Sequence, residues 1–229
     1  MDIKDPVQLE KAKLEDTLID LLYREYPDIV FHGGTAIWRC YSGNRFSRDL
    51  DFYIKATSQA QKDQMYSCMQ QFFRGLGFSV KESGYSRATG TMHILLEANV
   101  KMKVDINFRY KKGVPTEYVR VDESRIVVLS LTPLQLLGEK IDAYENKLEG
   151  SSRYSVPEAQ DLYDMYHLVS LVKAGKTNAS RKRLNLLLDK IERNPPSNMR
   201  SLGHIILNGL PPSFEIMVKR LREWANDDN

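Results

Sequence analysis

An α/β (α+β) half followed by an all-helical half is the fold class this sequence predicts, and three observations carry the prediction. Up to about residue 130, stretches with helical periodicity alternate with short runs of period two, the mark of helices interleaved with strands. At Leu131-Thr132-Pro133 the pattern turns helical and stays so, which places a first domain at 1–130 and a second at 131–229. Two of the strand-like runs also carry aspartates, a residue type that strands disfavour.

The elements follow in order. Residues 6–26 read as a helix: Val7, Leu14, Leu18, Leu21 and Leu22 recur at helical spacing, and Pro6 suits a first turn. Residues 28–31 form a strand that runs into a Gly33-Gly34 turn, and 35–41 read as a short helix. Residues 49–52 alternate acid and apolar side chains, as a strand does. Residues 58–74 are a helix closed by Gly75 and Gly77. Runs 78–83, 91–97 and 100–108 make an antiparallel set with Ser83-Gly84 and Ala98-Asn99 near the connections. Runs 118–121 and 126–129 read as edge strands beyond a basic loop at 111–115. In the second half Thr132 suits an N-cap and Pro133 a first helical position, and Gln135 completes a capping-box pattern. Helices then fall near 133–148, 157–173, 179–192, 199–208 and 213–226, with proline pairs at 195–196 and 211–212 as breaks. No internal repeat or low-complexity segment is present.

Composition narrows the class. Hydrophobic content of 42% and charged content of 28% over 229 residues are those of an ordinary globular protein with a real core. A net charge of +3 permits contact with nucleic acid without arguing for it. Two cysteines, Cys40 and Cys68, make no disulfide framework and point to a reducing compartment. The N-terminus lacks a basic-then-apolar leader and no apolar run is long enough to span a bilayer, so a cytoplasmic location is expected.

The chemistry concentrates in Phe31-His32-Gly33-Gly34-Thr35-Ala36 and Arg45-Phe46-Ser47-Arg48-Asp49-Leu50-Asp51-Phe52. A glycine pair before a helix lets backbone N–H groups approach an anion, and a helix N-terminus favours phosphate. On a strand, Asp49 and Asp51 project from one face while Leu50 and Phe52 enter the core. Two such close carboxylates repel unless a cation sits between them, and Mg²⁺ held by carboxylates and phosphates relieves the repulsion. Asp105, between Val104 and Ile106, is a third strand acid; beside the first two it would complete a site for two divalent ions. Singly, each acid could lie in an exposed turn or on an edge strand. The glycine turn, the D-x-D strand and the later strand acid together favour a phosphate cradle beside a metal site. The hydroxyls of Ser47 and Thr35 could bond a phosphate oxygen; Ser47 could also shape its own turn. Arg45 and Arg48 could add charge there, and His32 more simply shapes the turn than acts as a base. Lys101, Lys103, Arg109, Lys111 and Lys112 form a basic cluster that could carry an RNA backbone or merely solubilise an edge strand.

This constellation resembles the nucleotidyltransferase superfold of DNA polymerase β. More narrowly, His32-Gly33-Gly34-Thr35-Ala36 with Arg45-x-Ser47-x-Asp49-Leu50-Asp51-Phe52 resembles the AbiEii/AbiGii branch, the type IV toxins that include MenT-like proteins. Glu139-Lys140 and Asp161-Leu162-Tyr163-Asp164 match its later motifs, with Gln160 where the family usually carries a basic residue. The resemblance spans residues from about 30 to about 170. It implies a polymerase-β-like core with a mixed sheet, an α-helical C-terminal domain, and transfer of a nucleoside monophosphate from an NTP to a hydroxyl acceptor. It further implies a toxin with a cognate antitoxin, its acceptor often the 3′ end of tRNA. In that frame Asp49, Asp51 and Asp105 hold two Mg²⁺ ions and Gly33, Gly34 and Ser47 cradle the β/γ-phosphates. Thr35 and Arg45 assist, Lys140 offsets the triphosphate charge, and Asp161 orients Lys140 or the nucleotide. A small-molecule nucleotidyltransferase and a non-catalytic binding module share the same core and stand as alternatives.

Overall fold

Asp5 opens the first helix: its carboxylate accepts the N–H of Val7 at 2.8 Å, and Pro6 follows where no donor is missed. The computed structural model describes residues 3–56, 58–86, 90–97, 100–108, 114–121, 126–150, 158–172 and 177–227. The chain forms two compact units. The first runs to Ser42 and resumes over Phe46–Leu131; the second takes Gly43–Arg45 and the chain from Thr132 onward.

In the first unit, α1 (Pro6–Glu25) leads to β1 (Val30–His32), α2 (Gly33–Cys40) and β2 (Asp49–Tyr53). Next come α3 (Gln59–Gly75), β3 (Ser79–Ser86), β4 (Thr91–Glu97), β5 (Lys101–Asn107), β6 (Thr116–Arg120) and β7 (Val127–Leu131). The seven strands described form one mixed sheet in the order β3-β4-β5-β2-β1-β7-β6. β1–β7 and β2–β5 pair in parallel and the other neighbours antiparallel. One face is closed by Phe31, Leu50, Phe52, Met92, Ile94, Val104 and Ile106 with Leu18, Leu22, Met69 and Phe73 of α1 and α3. Each such buried side chain contributes about 1.5–3 kcal/mol, and Phe31 stacks on Phe52 at 5.0 Å between ring centres.

Four expectations are corrected in this unit. α2 begins at Gly33 rather than at Thr35, with Gly33 itself at a positive φ of 75° that glycine adopts freely. Ser83-Gly84 is no connection: β3 continues through it, with Gly84 opposite His93, and breaks register instead between Val80 and Glu82. Ser58 caps α3 from outside the helix, closing a capping box with Gln61. β7 is no edge strand: it lies between β1 and β6, with Val128, Ser130 and Leu131 buried.

The second unit holds α4 (Pro133–Leu148), α5 (Ala159–Leu168), α6 (Asn178–Arg193) and α7 (Phe214–Asn226). Leu136, Leu137, Ile141, Leu162, Met165, Leu187, Ile191 and Leu221 are among its buried residues. Trp224 donates its indole N–H to the Val172 carbonyl at 3.2 Å, tying α7 to the segment that follows α5. Met199–His204 is a 3₁₀ turn where a longer helix was expected. Thr132 stands at the N-cap of α4 but its hydroxyl makes no capping bond, so the capping box anticipated there is not formed. Among the described residues no helix is long and apolar enough to cross a membrane.

Candidate active site

Strand alternation and register build an acidic face in the first unit. In β2, Leu50 and Phe52 are fully buried, which turns Asp49, Asp51 and Tyr53 to the opposite face. β5 behaves likewise: Met102, Val104 and Ile106 are buried, and Lys101, Lys103, Asp105 and Asn107 share the other face. The parallel register sets Asp51 opposite Asp105 and Asp49 opposite Lys103. Neighbouring strands lie about 4.8 Å apart, so the acids are adjacent. Extended across the sheet, one row reads His93, Asp105, Asp51, His32.

Asp105 is already engaged. His93 donates Nδ1–H to its Oδ1 at 2.7 Å, and the Lys103 ammonium bonds its Oδ2 at 2.6 Å. Burial lowers the Lys103 pKa, but its bond to Asp105 and the nearby Asp49 and Asp51 raise it further, so the net shift is upward. His93 escaped the sequence reading. The signal was available: 93 and 105 lie six residues either side of 99, so a hairpin folding there sets them face to face.

Gly33 shapes the space beside Asp51. Besides its left-handed backbone, a Cβ on Gly33 would lie 2.9 Å from the Asp51 carboxyl carbon and overlap its Oδ2. No side chain fits there. Gly34 is buried, and His32 stacks its ring on Tyr53 at 3.9 Å. Thr35 is fully buried, and its hydroxyl donates to the Asp49 carbonyl at 2.5 Å, fastening α2 to the head of β2. Ser47 stays partly exposed two residues before Asp49, and Arg48 is exposed. From α1, Lys11 lies in the field of Asp49; burial lowers its pKa more than that field raises it. Of the basic cluster, Lys101 is exposed and Lys103 is paired, while Arg109, Lys111 and Lys112 lie outside the described residues.

The remaining candidates meet in the second unit, in a chain of ion pairs. Arg45 gives Nε and Nη2 to the two oxygens of Asp164, each at 2.5 Å, a bidentate fork. Lys140 reaches Asp164 at 2.8 Å and Asp161 at 3.0 Å. Lys147 bonds the other Asp161 oxygen at 2.6 Å and Glu158 at 3.1 Å. Burial pushes the Asp161 carboxyl up, but Lys140 and Lys147 more than offset it and hold it down at about 2. Burial likewise opposes the charge on Lys140, and Asp164 and Asp161 reverse that, leaving its pKa raised. Arg45 is 5% exposed, and its fork is on Asp164. Lys140 is likewise paired with two carboxylates.

Among the described residues no group of three His, Cys, Asp or Glu side chains is close enough to hold a metal ion as it stands. The donor chemistry of Asp49, Asp51 and Asp105 nonetheless suits Mg²⁺, a hard cation that takes oxygen ligands. The Lys103 ammonium sits on Asp105 Oδ2.

Residues 20–223 match the family described as nucleotidyl transferase AbiEii toxin, type IV TA system. The chain belongs to that family. A search of curated protein sequences returns no match. Among solved structures, this AbiEii-family chain superposes on JHP933 from Helicobacter pylori with a TM-score of 0.66 and 16% identity, covering 96% of this chain and 91% of that one. It superposes on MenT4, a nucleotidyltransferase toxin from Mycobacterium tuberculosis, with a TM-score of 0.60 and 18% identity, covering 98% and 86%. At such identities the likeness is one of fold, and that fold is the polymerase-β-like nucleotidyltransferase.

Proposed function

We propose that this AbiEii-family nucleotidyltransferase moves a nucleoside monophosphate from an NTP to a terminal hydroxyl of RNA, the 3′ end of tRNA, and that this is the activity an antitoxin restrains. The supporting observation is the pairing of Asp51 with Asp105 across β2 and β5, with Asp49 on the same face and Gly33 leaving room beside Asp51. In this reading Asp49, Asp51 and Asp105 are the ligands for Mg²⁺, which when bound neutralises phosphate charge and activates the acceptor oxygen. The backbone at Gly33 and Gly34, at the start of α2, and the Ser47 hydroxyl hold the β/γ-phosphates. Asp105, oriented by His93, takes the acceptor hydroxyl's proton. The acceptor oxygen bonds to the α-phosphorus as the bond to the bridging oxygen breaks, and pyrophosphate leaves. Lys140 and Asp161 act as positioning residues within the ion-pair chain rather than as phosphate contacts.

Incubation with each labelled NTP, Mg²⁺ and total RNA tests the reading. Label at the 3′ end of tRNA is expected; label on a small molecule or a protein, with none on RNA, would overturn the acceptor assignment.

A further inference from the structure

The second unit contains three residues that do not belong to its part of the sequence. Gly43–Arg45 lie in the loop between α2 and β2, yet they pack with the helical half. Asn44 and Arg45 are held there by side chain and backbone. Arg45 forks onto Asp164, itself held by Lys140. The backbone of Arg45 forms an antiparallel bridge with Ile206. The Asn44 side chain donates to the Asn208 carbonyl at 2.7 Å and accepts the Asn208 N–H at 2.9 Å, while the Asn44 carbonyl accepts the N–H of Leu207 at 3.2 Å.

We infer that Asn44 and Arg45 are positioning residues, through which the helical unit fixes the loop that delivers Ser47 and Asp49 to the acidic face. Only residues 46–48 separate Arg45 from Asp49. The four steps from Arg45 to Asp49 span at most about 14 Å, so an anchor at 45 limits where the next turn can go. The loop is pinned again at Phe46, which is buried and packs edge-on against Trp38 at 5.1 Å. Just before the grip, Ser42 takes a φ of 55°, an uncommon conformation for a non-glycine residue, of the kind that persists where surrounding contacts over-determine it. A buried arginine–carboxylate fork is a poor way to add stability, since apolar side chains of similar volume often do as well. What it adds here is a fixed register for the chain.

The activity arm of the test rests on the proposed role of Asp49; the exchange arm does not. Asn44→Ala leaves the buried ion pairs alone, and Asn44→Asp keeps the acceptor for Asn208 N–H. Hydrogen exchange of the full-length chain, resolved over 46–50 and over 133–148, is measured for both beside thermal melts and steady-state kinetics with each NTP and tRNA. For Asn44→Ala, exchange over 46–50 is expected to rise roughly tenfold while α4 keeps its protection. kcat is expected to fall about tenfold or more with the NTP KM within about twofold, the signature of a displaced catalytic group. Asn44→Asp should recover part of both, and Arg45→Lys, which keeps the charge but loses the fork, should resemble Asn44→Ala. Unchanged exchange over 46–50, or a rise spread evenly over the helical unit with a lowered Tm, would overturn the inference. A wild-type protein inactive with every NTP would refute the assigned reaction, and the exchange arm would still decide the grip.

Discussion

Replacing Gly33 by alanine probes the acidic face without touching an acid. Two costs are separable. The first is backbone: at φ of 75° an L-residue gives up about 1–2 kcal/mol. The second is collision, since the new Cβ would overlap the Asp51 carboxylate and the β2 backbone is fixed on both sides by β1 and β5. Gly77 supplies the control, with a φ of 85° and nothing within 4 Å of its added Cβ. Gly77→Ala should therefore cost the backbone share alone, about 1–2 kcal/mol, and Gly33→Ala more, by about 1–3 kcal/mol for overpacking. Urea unfolding of Gly33→Ala, Asp51→Ala and the double variant forms a cycle. In the Asp51→Ala background the Gly33→Ala cost should shrink to that of Gly77→Ala. An equal cost in both backgrounds would show that Gly33 does not make room for Asp51.

Three further outcomes are expected. Asp49→Ala should abolish nucleotide transfer while leaving the melting curve unchanged or slightly raised, because it removes one of two neighbouring like charges; near-normal activity with any NTP would remove Asp49 from the site. Asp161 is held at about 2 against an ordinary 3.8, so its contribution is complete above about pH 4 and drains away as pH falls toward 2. Acid unfolding should therefore lose a component of about 2 kcal/mol in Asp161→Asn. If RNA is the acceptor, its KM should rise steeply with salt, and Lys111→Ala with Lys112→Ala should flatten that slope and spare NTP binding; parallel flat lines would rule out a role for these lysines.

The parts of the fold that depend on local pattern were readable in advance. Alternation in 49–53 and 101–107 puts the acids on one side of their strands whatever the partners are, and aspartate in a strand is rare enough to be noticed. Long-range choices were not readable. β7 pairs with β1 through Ser130 and Phe31, ninety-nine positions apart, and nothing in its five residues distinguishes a central strand from an edge. The same holds for charge. A lysine or arginine near a phosphate-binding motif looks like a phosphate ligand, yet Arg45 meets Asp164 at a separation of 119 residues, and burial, which the sequence does not display, makes that pairing obligatory. The partner of Thr35 was equally hidden: its hydroxyl, after two glycines, is buried on the Asp49 carbonyl.

The order of synthesis gives the grip on Gly43–Arg45 a temporal meaning. Asn44 is bonded to Asn208 across 164 positions. On the ribosome the acid-bearing strands emerge early, and β2 and β5 can pair once residue 107 is free. Their loop then waits for its anchors, first for Asp164 and last, about a hundred residues on, for Asn208. A nascent chain arrested short of residue 208 would already carry Asp49, Asp51 and Asp105 and still lack the Asn44 hold on the loop before β2.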